Sequence, residues 1–334
     1  MIVSWNTTNE CNMYCDHCYR ESGPLAPREL NTVEARTMIG GIAAAGFKIM
    51  IFSGGECLMR SDLEELVGHA AGLGLRPVLG TNGSLLSTDR ARALKNAGCL
   101  AAGISLDSLD PARHDALRRY EGAFTEALAG MQACREAELP YQIHTTVMDW
   151  NRHEVPEMAD FALEQSARAF HVFFLVPTGR AASIEESSLR AAEYEELIEK
   201  LMDKAETLPI EIKPTCAPQF MRIALQRGMK PRFSKGCLAG TSYCIIGPSG
   251  NVQPCAYMNI SAGNVREQPF DEIWRNSPLL KRLRTEEYGG RCGMCEYRHR
   301  CGGCRARALH YHGDFMAEEP WCLYRASEEE FGVG

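Results

Sequence analysis

The chain has 334 residues, 45% hydrophobic and 24% charged, enough apolar material for a sizeable core and about two domains. Its net charge of −7 excludes a nucleic-acid binder that works through bulk positive charge. It shows no run of 18 apolar residues and no charged-then-apolar leader, so neither a membrane span nor a secretion signal is expected, and the protein is placed in the cytoplasm.

Residues 1 to about 176 alternate short apolar runs with helix-like segments. The runs are "MIVSWNTT" (1–8), "KIMIFSGG" (48–55), "RPVLGTNG" (76–83), "LAAGISLD" (100–107), "YQIHTTVM" (141–148) and "FHVFFLVP" (170–177). Between them, "TVEARTMIGGIAAAG" (32–46) and "SDLEELVGHAAGLG" (61–74) carry apolar residues at helical spacing. The second opens on Ser61 as N-cap with Glu64 three residues on, and Gly46, Gly74 and Gly98 stand where helix C-caps belong. Six strand–helix repeats predict parallel strands joined by right-handed crossovers. Six strands are too few for a closed eight-stranded barrel, so the fold class is α/β, a partial (β/α)6 barrel with its site at the C-terminal strand ends. From about 177 the pattern changes to a loop and a charged helix expected to be exposed. From about 210 the chain becomes cysteine-rich. Two domains are expected, 1–208 and 209–334, the second short of regular apolar pattern and relying on metal for its core.

Fifteen cysteines in a chain without a secretion signal argue for metal binding or redox work over disulfides. "NECNMYCDHCYR" (9–20) spaces Cys11, Cys15 and Cys18 as C-x3-C-x2-C on the loop after the first strand. Three thiolates leave one metal position open, and a zinc knuckle with a distant fourth ligand is the alternative. Here the sequence resembles the radical S-adenosylmethionine (SAM) superfamily, and four further segments follow in order. These are "SGGE" (53–56), "TNG" (81–83), "SLD" (105–107) with "HDALRR" (114–119), and "HTTVMDWN" (144–151). The resemblance implies a [4Fe–4S] cluster on Cys11, Cys15 and Cys18 whose free iron is chelated by SAM. It places Gly54, Gly55 and Glu56 at the SAM amino group. It puts Thr81, Asn82, Ser105 and Asp107 near the ribose and methionine, Arg118 at the carboxylate, and His17 and Val147 at the adenine. The reaction it implies begins with a 5′-deoxyadenosyl radical.

The C-terminal part holds Cys237, Cys244, Cys255, Cys292, Cys295, Cys301, Cys304 and Cys322, including C-x12-G-x4-C and C-x2-C-x5-C-x2-C. Two zinc ribbons would suit these pairs as well. The pattern resembles the SPASM extension of radical SAM enzymes, which binds two auxiliary clusters. The resemblance puts Cys237, Cys244, Cys255 and Cys304 on the first and Cys292, Cys295, Cys301 and Cys322 on the second. That makes three [4Fe–4S] clusters in all. Cys99 and Cys134 read as core residues, and Cys57 as a small buried residue with a reactive thiol near the site as the alternative. Cys216, in "EIKPTCAPQFMRIA", is a candidate for the substrate cavity or a substrate metal.

The texture of "FLVPTGR", "KPTCAPQF" and "GNVQPCAYM" resembles the radical SAM proteins of haem and d1-haem biosynthesis. This implies removal or oxidative decarboxylation of acetate or propionate side chains of an iron tetrapyrrole, with a ferredoxin or flavodoxin as electron donor. A polycarboxylate macrocycle needs cations, and Arg180, Lys213 and Arg222, with Arg232 and Lys235, are the expected anchors. A SPASM maturase acting on a peptide is the alternative enzyme. The opening run is expected to be the first barrel strand, which weighs modestly against a preceding peptide-binding domain. A zinc scaffold without catalysis is the reading from another class.

Overall fold

The computed structural model describes residues 1–24, 26, 28–230 and 233–325. The six predicted strands are all present: β1 (Ile2–Asn6), β2 (Ile49–Ser53), β3 (Arg76–Thr81), β4 (Ala101–Ser105), β5 (Tyr141–Val147) and β6 (Ala169–Phe174). They pair in parallel in chain order. The helices between them are α1 (Thr32–Ala44), α2 (Leu63–Gly72), α3 (Thr88–Asn96), α4 (Pro111–Arg118), α5 (Ala123–Glu136) and α6 (Val155–Glu164). Met50, Phe52, Leu79, Ile143, Phe170 and Val172 on the strands are buried in one core with Ile39 and Ile42 of α1, Leu66 of α2 and Met158 of α6.

The sheet runs past the six expected strands at both sides. β7 (Glu211–Thr215) pairs in parallel with β6. On the other side β8 (Tyr243–Ile246), from the cysteine-rich part, pairs in parallel with β1, matching Val3 to Cys244. β9 (Asn251–Gln253) and β10 (Gly263–Asn264) follow antiparallel. The order β10-β9-β8-β1-β2-β3-β4-β5-β6-β7 leaves β10 and β7 at the two edges, so the sheet is open. The remaining helices are α7 (Ala191–Thr207), α8 (Phe220–Gln226), α9 (Phe270–Asn276), α10 (Pro278–Thr285), α11 (Gly290–Met294) and α12 (Arg305–His312).

Two local expectations are corrected. Helix α2 begins at Leu63 with Asp62 at the cap, not Ser61, and no side chain caps it. The Asp62 carboxylate is taken by Arg60 at 2.6 and 2.9 Å and by Thr32 Oγ1 at 2.6 Å, and Glu64 accepts from Arg90 Nε. Helix α7 is not an exposed rod. Tyr194, Leu197, Ile198, Leu201 and Met202 recur at helical spacing and bury one face. Helix α1 has the full capping box, with Asn31 accepting from the Glu34 N–H and Glu34 from the Asn31 N–H. Among the described residues no helix is long and apolar enough to cross a membrane.

Candidate active site

The loop after β1 brings Cys11, Cys15 and Cys18 together: the charges of Cys15 and Cys18, with that of Glu56, bear on Cys11, whose thiol burial pushes up to about 12. The loop is held from several sides. The Cys11 N–H donates to Gly23 O at 2.9 Å and the Cys18 N–H to Cys15 O at 3.3 Å. Arg180 Nε donates to Cys15 O at 2.9 Å, its Nη1 to Ser22 O at 2.7 Å, and its guanidinium lies 3.7 Å over the Tyr14 ring. Arg180, expected as a substrate anchor, is therefore committed to the thiol loop.

The turn after β2 packs its backbone against that loop. A Cβ at Gly55 would stand 2.2 Å from the Glu10 carbonyl oxygen, and one at Gly54 2.7 Å from that of Thr8. Gly55→Ala is expected to cost about 1–3 kcal/mol, since backbone faces the new methyl and neither side yields easily; chemical denaturation reads the loss. The buried Glu56 carboxylate accepts from Leu58 N at 3.0 Å, Asn82 N at 2.8 Å and Thr81 Oγ1 at 2.7 Å. It braces the "SGGE" turn against the "TNG" turn after β3. Asn82 Nδ2 then reaches Asn12 Oδ1 at 2.9 Å, linking that turn back to the thiol loop.

A second hub forms after β4. Asp107 is fully buried and accepts from Arg118 Nε at 3.0 Å and Nη2 at 2.7 Å, and from the Thr146 N–H at 2.8 Å. Arg118, with His17 and His114 beside it, holds the Asp107 carboxyl well below the usual range against the opposing effect of burial. The Arg118 charge also lowers the Cys15 thiol, against burial that raises it. His17 Nε2 lies 3.6 Å from Asp107 Oδ2, its Nδ1 is buried without a partner, and burial brings its pKa down to about 4, so the ring is neutral. Ser105 Oγ donates to Thr81 O at 3.3 Å, and Val147 is buried at the end of β5. All ten residues expected around SAM thus lie on the thiol loop, at strand ends or, for Arg118, in the helix after β4.

The cysteine-rich part groups its thiols differently from the expectation. Cys292 bears on Cys295, Cys301 and Cys322, and the four line one cavity of about 430 Å³. In the other group, Cys237 and Cys304 bear on Cys255, and Cys304, Cys255 and Cys237 all bear on Cys216. Cys244 is not in that group. It lies on β8 in the hydrophobic core, fully buried, and the charge bearing on it is the Arg284 guanidinium. Cys216 stands in its place. The Cys216 residue adopts a left-handed φ of +60°, and its carbonyl accepts from Tyr194 Oη at 2.9 Å and Arg307 Nη2 at 2.7 Å. Arg307 in turn pairs with Glu319 at 2.8 Å, and Glu319 Oε2 accepts the Cys304 N–H at 2.6 Å. The network of Tyr194, Arg307 and Glu319 is fully buried and had no signal in the sequence, because its members are scattered over 126 positions.

The expected carboxylate anchors do not gather in one place. Arg222 lines the cavity of the second thiol group. Lys213 projects from β7 with Nζ 4.2 Å over the Phe233 ring. Lys235 is bonded to Glu286, and Arg232 lies outside the described residues. Two residues not singled out as ligands join Lys213: the register Ser105–His144–His171–Lys213 runs across β4 to β7, and the two imidazoles stack at 5.4 Å. Burial, with the charges of His171 and Lys213, takes His144 down to about 3. Strand periodicity would have placed these residues on one face.

The thiols suit iron. All fifteen cysteines are free, and Cys292 Sγ faces donors, the Glu319 N–H at 3.2 Å and Arg305 Nη2 at 3.8 Å. Among the described residues no three His, Cys, Asp or Glu side chains are close enough to hold a single metal ion.

An open parallel sheet with a thiol trio at its C-terminal strand ends, joined to a cysteine-rich extension, defines an iron–sulfur enzyme of the SAM-using kind. Residues 5–162 match the radical SAM superfamily, and residues 237–304 match the SPASM iron–sulfur cluster-binding domain. The AdoMet-dependent heme synthase of Nitratidesulfovibrio vulgaris is 41% identical over 97% of this chain and 92% of its own length. The pre-heme d1 synthase of Dinoroseobacter shibae is 31% identical over 98% and 87%. SuiB of Streptococcus suis, solved with its precursor peptide SuiA, superposes with a TM-score of 0.76 at 17% identity, over 97% of this chain and 76% of that one, a likeness of fold. The chain belongs to the radical SAM superfamily, and SAM and iron–sulfur clusters are its cofactors.

Proposed function

We propose that this chain makes a haem by oxidatively decarboxylating propionate side chains of an iron tetrapyrrole, in the cytoplasm. What carries the reading is the 41% identity along almost the whole chain with a heme synthase, against 31% with the pre-heme d1 synthase. Peptide modification, the rival, is supported by a weaker sequence likeness, 30% over 97% of this chain with the mycofactocin maturase MftC of Mycobacterium ulcerans, and by the fold likeness to SuiB.

In this reading Cys11, Cys15 and Cys18 hold the SAM-binding cluster. The backbone of Gly54 and Gly55 receives the methionine end, with Glu56, Thr81, Asn82 and Ser105 setting the two turns that flank it. Arg118, oriented by Asp107, faces the SAM carboxylate, and the neutral His17 ring and Val147 flank the adenine. Cys216, Cys237, Cys255 and Cys304 hold one auxiliary cluster, and Cys292, Cys295, Cys301 and Cys322 the other, three in all. When bound, cluster and SAM supply a 5′-deoxyadenosyl radical, which takes one hydrogen atom from the side chain. Loss of CO2 from the side chain would leave a vinyl group and one electron, and accepting that electron is the chemistry an auxiliary cluster would supply. Lys213 offers a cation to a substrate carboxylate, while Arg180 positions the thiol loop. A ferredoxin- or flavodoxin-class donor supplies the electron that cleaves SAM.

The test is anaerobic incubation of reduced protein with SAM and iron-coproporphyrin. Mass loss of CO2 and two hydrogens per side chain, with one 5′-deoxyadenosine for each, is expected. Sustained 5′-deoxyadenosine formation on an unchanged macrocycle, with a peptide modified instead, would sink the reading.

A further inference from the structure

The cavity lined by Cys292, Cys295, Cys301 and Cys322 has a second wall. Gln219 and Arg222, at the start of α8, line it too, and both are almost wholly buried, at 1% and 4% exposure. Gln219 Nε2 and Arg222 Nε have no hydrogen-bond partner. The rest of each side chain is anchored. Gln219 Oε1 accepts from Tyr194 Oη at 3.1 Å. Arg222 Nη1 donates to Gln226 Oε1 at 2.9 Å, Nη2 pairs with Glu195 at 2.8 Å, and the guanidinium sits 5.0 Å over the Tyr324 ring. Two such donors left unpaired on one wall are costly unless something in the cavity accepts from them. Nor is the guanidinium remote from the thiols, because it lines the same cavity as all four.

A four-iron cube on these thiols brings sulfides and thiolates into the cavity, and both accept hydrogen bonds. We propose that Gln219 and Arg222 are positioning residues for this second auxiliary cluster, donating to its sulfurs from one wall and setting its reduction potential. The proposal rests on the reading that the four thiols hold a cluster. Reduction adds one negative charge to the cube. Donors and a fixed cation stabilise the reduced form more than the oxidised form, so they raise the potential. Arg222, taken from sequence as a substrate anchor, therefore acts on the electron path.

The experiment is a redox titration of the reconstituted holoenzyme followed by electron paramagnetic resonance. Arg222→Gln and Gln219→Met are each expected to lower the midpoint of one cluster signal, the signal that Cys322→Ala removes. Arg222→Lys keeps the charge and should fall less. Iron content separates the two levels of the argument. Full iron with midpoints unmoved in both Arg222→Gln and Gln219→Met overturns the role of the two residues and leaves the cluster standing. Wild-type protein with about eight irons, unaltered by Cys322→Ala, removes the cluster and the proposal together.

Discussion

Cys216→Ala is expected to lower the iron content of reconstituted protein by about four per chain, whereas Cys244→Ala should leave it unchanged. The two cysteines are near in sequence to the same motif, yet only Cys216 shares its surroundings with Cys237, Cys255 and Cys304. Its backbone is held in a left-handed conformation that a non-glycine residue adopts at a cost, by a carbonyl clamped between Tyr194 and Arg307. The clamp reaches Cys304 through Glu319, so two members of the thiol group are set by one buried network. Cys244 instead packs in the hydrophobic core, where alanine removes a small buried side chain. Its cost is expected in thermal stability, not in metal. Loss of four irons from Cys244→Ala, with Cys216→Ala retaining all, would reverse the assignment. The electron paramagnetic resonance spectrum of each variant checks which cluster is gone.

Arg118→Met is expected to destabilise the protein by about 3–5 kcal/mol at neutral pH and to abolish 5′-deoxyadenosine formation. The variant leaves Asp107 buried and charged, with the Thr146 N–H and two imidazoles, His17 and His114, that burial keeps neutral. The sign with pH follows. In the wild type the Asp107 carboxyl lies below its ordinary value of 3.8, so its stabilisation is present above that pH and fades only as the pH falls through the depressed value. Without Arg118, burial raises the carboxyl instead, and its penalty is relieved as the pH falls. The stability gap between wild type and variant should therefore narrow from pH 7 towards pH 4. A gap under about 1 kcal/mol, or one that ignores pH, would show that the pair does not carry this weight.

The strand ends and the turns after them were legible because each rests on local chemistry. Period-two burial marks β5, and Gly74, at φ +80° after α2, closes a helix as its position foretold. What failed depended on partners distant in sequence. Asp62 displaced Ser61 at the start of α2 because Arg60 and Thr32 meet there in space. The family resemblance matched Cys244 to its neighbours, but that resemblance does not say that β8 turns the side chain into the core beside Val3 of β1. Cys216 carried no motif, only prolines on either side. Likewise five basic residues at the junction suggested one anchoring patch, whereas the fold sends Arg180 to the thiol loop and Arg222 to a thiol-lined cavity.

The seating of β8 against β1 bears on how the polypeptide acquires its form. β1 is flanked by β2 on one side and by a strand from residues 243–246 on the other. During synthesis its outer hydrogen-bonding edge stays bare until more than 240 residues have left the ribosome, a long wait for an adhesive border. The thiol loop issues directly from that strand, so its scaffold is completed late. Iron loading is then a task for the finished chain, and a nascent fragment stopping short of β8 would meet chaperones before it met metal.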